Sequence, residues 1–128
     1  NNFTIKKIES TGENKINYKL KNKIQAISNY SGEKNIYLKF ITKSKKSIKE
    51  KNIKNEITKY QISITVKTDY YLIEENKSGN FLLSVTGDHN VGSRYRETLN
   101  NEKKLINSLM ADISEQLFRD LLINLNDL

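Results

Sequence analysis

The sequence predicts an α+β domain: elements in the order βαβββα, forming a four-stranded, mostly antiparallel sheet with two helices on one face, a two-layer sandwich. Three observations predict it. Residues 60–72 alternate apolar and polar side chains, the mark of a long strand with one buried and one wet face. Leu99, Ile106, Leu109, Met110, Ile113, Leu117, Leu121 and Leu125 recur at helical spacing from about Thr98 to Asn124 and just beyond. The 128 residues, 36% hydrophobic and 29% charged, suffice for one domain with its own core, spanning 1–128.

The elements follow in order. Phe3 to about residue 9 reads as a strand, with Phe3 and Ile5 in period two and Ile8 out of phase. Ser10 and Glu13 form a capping box for a helix over 14–29, whose stripe is Ile16, Leu20, Ile24 and Ile27. Ser31-Gly32-Glu33 closes it as a turn. Residues 36–44 alternate again: Ile36, Leu38 and Phe40 face one way, Tyr37, Lys39, Ile41 and Lys43 the other. A third strand spans about 57–74, carrying Tyr60, Ile62, Ile64, Val66, Tyr70 and Leu72 on its buried face. Residues 76–80, with Ser78-Gly79 inside, read as a hairpin turn. Phe81, Leu83 and Val85 continue the buried face on a fourth strand near 80–91, which fades at Gly87 and Gly92. The helix of 14–29 makes the first two strands parallel by a right-handed crossover; the other three strands form a meander.

The composition excludes several chemistries. With no cysteine there is no disulfide scaffold and no thiolate metal site, and a single histidine, His89, cannot build a multi-histidine centre. A P-loop, a G-x-S-x-G elbow, G-x-G-x-x-G and H-E-x-x-H are all missing. His89 has no nucleophile partner, and Glu74-Glu75 beside a turn are ordinary solvated carboxylates. The expectation is a protein that is not an enzyme and uses neither cofactor nor metal.

Charge is unevenly spread. Residues 1–67 hold 16 Lys against five acids, whereas residues 68–128 hold six basic and ten acidic side chains. Lys, Asn and Ile, all with A/T-rich codons, supply 52 of 128 residues, so codon bias raises lysine whatever the ligand. Placement says more than the total. Seven of the lysines lie within 43–59, a hairpin arm suited to phosphate groups or to blunting a sheet edge. With both helices on one face, the other face presents Tyr37, Lys39, Ile41, Gln61, Ser63, Thr65 and Lys67, a mixed surface fit for docking. Tyr30, Tyr37, Tyr70, Tyr71 and Tyr95 could stack on bases, but no RNP-like motif accompanies them.

Over nearly the whole chain, and most specifically from Tyr60 to Leu117, the sequence resembles the LPS-assembly lipoprotein family (LptE), in its α-proteobacterial form. The alternating run 60–73 is followed by Lys77-Ser-Gly-Asn-Phe-Leu-Leu-Ser-Val-Thr-Gly, similar to the family's "tGkvLlsG" hairpin. Residues 88–99 keep the Asn-Val, Ser, Tyr and Thr-Leu of its "sYNvvdSqYAtl" stretch, and Leu109-Met-Ala-Asp-Ile113 lies over the "LAddI" of its closing helix. The resemblance implies a non-enzymatic outer-membrane lipoprotein on the periplasmic face. It would plug and help assemble the LPS-transport β-barrel (LptD) and bind lipopolysaccharide. The family's lipidated cysteine does not occur here, and the expectation is a mature fragment lacking it. On this reading the LPS phosphates meet Lys39, Lys43, Lys45, Lys46 and Lys67, and the barrel docks at Tyr37, Ile41, Gln61, Ser63 and Thr65. The alternative is a small basic nucleic-acid-binding module, motivated by a pI near 9.5; no nucleic acid is expected on the first reading.

Overall fold

The computed structural model describes residues 3–27 and 34–126. Six elements follow one another: β1 (Phe3–Gly12), α1 (Asn14–Ile27), β2 (Lys34–Lys51), β3 (Ile57–Leu72), β4 (Lys77–Asn90) and α2 (Tyr95–Asn126). The strands stand in the sheet in chain order, β1 parallel to β2 and the other neighbours antiparallel. The α1 crossover requires that parallel pair. The expected end of α1 at Asn29, Tyr30, the turn 31–33 and the side chains of Ile27 and Leu125 lie outside the described residues.

Both helices cover the same face. Ile16, Leu20 and Ile24 of α1 meet Leu109, Met110, Ile113, Leu117 and Leu121 of α2 over Ile36, Leu38, Phe40, Ile62, Ile64, Val66, Leu83 and Val85 of the sheet, in one core. The out-of-phase Ile8 has a local cause. The β1 register jumps from Ile5 opposite Ile36 to Lys7 opposite Tyr37, so Lys6 is bulged out. That single extra residue returns Ile8 to the face of Phe3 and Ile5.

Four local expectations are corrected. Ser10 and Glu13 form no capping box: Ser10 lies within β1 opposite Phe40, and β1 continues to Gly12 opposite Thr42. Gly12 then turns the chain at φ +101°, with the Thr42 carbonyl oxygen standing where a Cβ would project. Glu13 contributes its backbone carbonyl to Asn17 N–H instead. The β3–β4 turn lies earlier than 76–80, because Asn76 adopts a left-handed φ of 50° and closes it onto Ile73. Ser78 and Gly79 are therefore already paired with Tyr71 and Tyr70. β4 does not fade at Gly87 but runs to Asn90; the missing side chain there admits Leu105 of α2, whose Cδ1 is 2.6 Å from an added Cβ. Finally, β2 does not stop near 44 but continues through the lysine tract to Lys51, because β3 supplies a ladder partner along its whole length.

Candidate functional site: the open sheet face and the lysine hairpin

Register builds the open face row by row, since residues directly opposite in neighbouring strands project to the same side. Tyr37 stands opposite Tyr71 with ring centroids 6.2 Å apart. The next rows are Lys39–Asp69–Asn80, Ile41–Lys67–Leu82, Lys43–Thr65–Ser84 and Lys45–Ser63–Thr86, and Gln61 pairs Asp88 on the same side. Ser63 and Thr86 hydroxyls are 3.1 Å apart and hydrogen-bonded. Leu82 is 67% exposed and Ile41 is half-buried, so apolar groups flank the Lys67 ammonium. The face is amphiphilic: carbon surface and cations share adjacent rows.

Its charge is only partly paired. Near β1, Lys7 and Glu9 form an ion pair at 3.0 Å. Their hydrogen bond holds the Glu9 carboxyl below its ordinary pKa and the Lys7 ammonium above its own. These two line a shallow cavity of about 330 Å³ with Tyr37, Lys39 and Tyr71. Further along, Lys43, Lys45 and Lys67 enter no ion pair among the described residues. Lys39, beside Glu9 in that cavity, likewise enters none, so four lysines of the face are left without an ion pair among the described residues.

Lys46 departs from the expected cluster. It shares the side of Ser44 and Ile62, which is the helix side, and its Nζ lies 2.7 Å from Glu102 of α2 and 4.4 Å above the Tyr60 ring. Parity explains this: a strand residue one position from Lys45 must point the other way. Of the five lysines, four share the open face and one does not.

On that helix side the structure gathers residues that sequence reasoning left apart. His89 is buried, stacks on Tyr60 at 5.7 Å, and places Nε2 3.8 Å from Glu102, with no hydrogen-bond partner for Nε2 among the described residues. Beside it a cleft of about 360 Å³ is lined by Ile57, Tyr60, Arg94, Tyr95 and Leu99. The even parity of Lys46 with Ile62 across the hairpin was the available signal. Among the described residues, no group of three His, Asp or Glu side chains could hold a metal ion.

On its β2 side the arm outruns β1, whereas β4 accompanies β3 almost to its start. β1 last pairs at Thr42, so residues 43–51 of β2 are an edge, and β4 leaves β3 at Lys59 opposite Asn90. Nine residues of strand span roughly 30 Å. The apex turn is tied internally: Asn52 N–H donates to the Glu56 carbonyl, and Asn52 Oδ1 accepts the N–H groups of Lys54 and Glu56 at 2.9 and 3.0 Å.

These features define a class of protein: an α+β two-layer domain with an uncovered amphiphilic sheet face. Solved structures similar to it in fold include bacterial lipoproteins. The rare lipoprotein B of Shewanella oneidensis aligns over 98% of this chain and 99% of its own, with a TM-score of 0.67 at 13% identity. Lipoprotein B of Nitrosomonas europaea aligns over 94% and 81%, with 0.65 at 12% identity. A minor lipoprotein of Acinetobacter baumannii aligns over 94% and 92%, with 0.58 at 12% identity. The likeness is one of fold. No family model matches the sequence, and no curated protein matches it significantly.

Proposed function

We propose that this chain is the folded domain of a non-enzymatic, lipid-anchored lipoprotein of the outer membrane, facing the periplasm and serving LPS assembly. In this role it seats in, and helps assemble, an LptD-like β-barrel and binds lipopolysaccharide during delivery. The carrying observation is the end-to-end fold likeness to bacterial lipoproteins. The sequence resemblance from Tyr60 to Leu117 and the amphiphilic open face support the same reading. An LPS head group offers phosphates to Lys39, Lys43, Lys45 and Lys67, and its acyl roots meet Ile41, Leu82 and the Tyr37–Tyr71 pair. The barrel would use the adjoining Gln61, Ser63 and Thr65.

Each exposed lysine–phosphate contact is worth about 1 kcal/mol or less in salt, so the test is collective. Changing Lys39, Lys43, Lys45 and Lys67 together to Glu should abolish LPS binding in a pull-down while the circular dichroism spectrum is retained. Lys46→Gln, on the other side of the sheet, should leave binding unchanged. A folded fourfold variant that binds LPS as the parent does would remove the open face as the site. Recovery of the full-length native protein in the cytosol, without a barrel partner, would overturn the reading as a whole.

A further inference from the structure

We propose that the apex of the β2–β3 hairpin is a membrane-insertion tip, in which Ile53 enters an anionic phospholipid bilayer and the surrounding lysines engage its surface. Ile53 is 103% exposed, the most exposed large apolar side chain among the described residues. It lies in a five-residue turn where a polar or glycine residue would cost nothing in solvation. The turn is ordered around it: besides the Asn52 bonds above, Asn55 takes the left-handed φ of 65° and donates its N–H to the Asn52 carbonyl at 3.0 Å. Ile53 is thus presented rather than frayed.

The charge around it is complementary to an anionic interface. Lys49, Lys51, Lys54 and Lys59 surround the apex. The acids of the same stretch are turned back onto the hairpin, where Glu50 Oε1 accepts from Thr58 Oγ1 at 3.0 Å and Glu56 Oε1 from Asn52 Nδ2 at 3.2 Å. Ile48, half-exposed, and Ile57 lie just behind. An apolar point in a ring of cations, with no aromatic platform at the apex, suits lipid head groups and acyl chains better than stacked bases. Behind the tip, Ile57 lines the cleft shared with Tyr95 and Leu99 of α2, whereas Ile53 itself stands fully in solvent. The inference does not rest on the LPS reading, because none of Lys49, Lys51, Lys54 and Lys59 belongs to the open-face set Lys39, Lys43, Lys45 and Lys67.

The chain contains no tryptophan, so Ile53→Trp supplies a single fluorescent reporter. Vesicles of phosphatidylcholine alone should not bind the chain. Vesicles containing about one-third phosphatidylglycerol should bind it in flotation and shift the tryptophan emission of the Ile53→Trp variant to shorter wavelength. Ile53→Ser should weaken that binding about tenfold, the loss of most of one buried aliphatic side chain. Neutralising Lys49, Lys51 and Lys54 to Gln should weaken it more, at about fivefold per charge. Both variants should keep the parental thermal transition, since no core contact is touched, and both should keep LPS binding. Equal binding of parent and Ile53→Ser, or an unshifted tryptophan emission on anionic vesicles, would overturn the proposal. Stronger capture by duplex DNA than by the anionic vesicles would overturn it as well.

Discussion

The two halves of β2 obey one backbone rule and meet opposite fates. Residues 36–42 put Ile36, Leu38, Phe40 and Thr42 on the helix side, each 2% exposed or less. Residues 43–51 continue the same ladder with β3, yet the side chains there are mostly exposed, five of them lysine. Residues 36–42 are paired on both sides, by β1 and β3, and are covered by the helices, whereas residues 43–51 pair with β3 alone and have little helix cover. Stability is therefore concentrated in the root of the hairpin, where apolar area leaves water at roughly 25 cal/mol per Å². The arm is held by hydrogen bonds of small net worth, which frees its side chains for contact with other molecules.

The largest expected effect tests whether the root carries the fold. Ile64 and Ile113, each 0% exposed, belong to the sheet and helix sides of the one core. Either Ile64→Ala or Ile113→Ala should lower unfolding free energy by about 2–5 kcal/mol, through lost transfer energy and a residual cavity. Chemical denaturation reads this directly, and losses under about 1 kcal/mol at both sites would show that the core is elsewhere.

The next test sharpens the contrast within the root, between two buried threonines. Thr42 donates its hydroxyl to Asn17 Oδ1 at 2.7 Å, joining α1 to the sheet, and both residues are buried. Thr68 is equally buried, but its Oγ1 has no hydrogen-bond partner among the described residues. Thr42→Val strands the Asn17 amide oxygen and should cost about 1–3 kcal/mol. Thr68→Val removes an unpaired polar atom at constant shape and should stabilise by about 1 kcal/mol. Shifts of the same sign in both variants would refute this reading.

The smallest effect concerns the far end of the root. Glu74, in the β3–β4 turn, accepts from the Asn35 backbone N–H at 3.1 Å and from the Asn35 side-chain amide, tying the turn to the start of β2. The Asn35 backbone hydrogen bond, first among the causes, holds the Glu74 carboxyl below its ordinary value. A depressed carboxyl stabilises the fold above the ordinary value of 4.5 and loses that contribution as the pH falls through its lower folded value. Glu74→Gln should therefore lower Tm slightly at neutral pH, and the gap from the parent should close on acidification. A gap that widens with falling pH would contradict the assignment.

The fold order, the parity of β3 and the covered face follow from the sequence alone, because periods of 2 and 3.6 are local consequences of backbone geometry. The open-face positions Tyr37, Lys39, Ile41, Lys43, Gln61, Ser63, Thr65 and Lys67 were legible for the same reason. What the sequence left undetermined depends on neighbours distant along the chain. The Lys6 bulge exists because β1 must stay in register with β2. β2 extends through the lysines because β3 is there to pair with them. Parity alone sends Lys46 to the helix side, but that it meets Glu102 of α2 there, beside the buried His89, is decided by packing. Periodicity assigns a side chain to a face; only packing across the sheet decides which partner it meets there and whether its charge remains available.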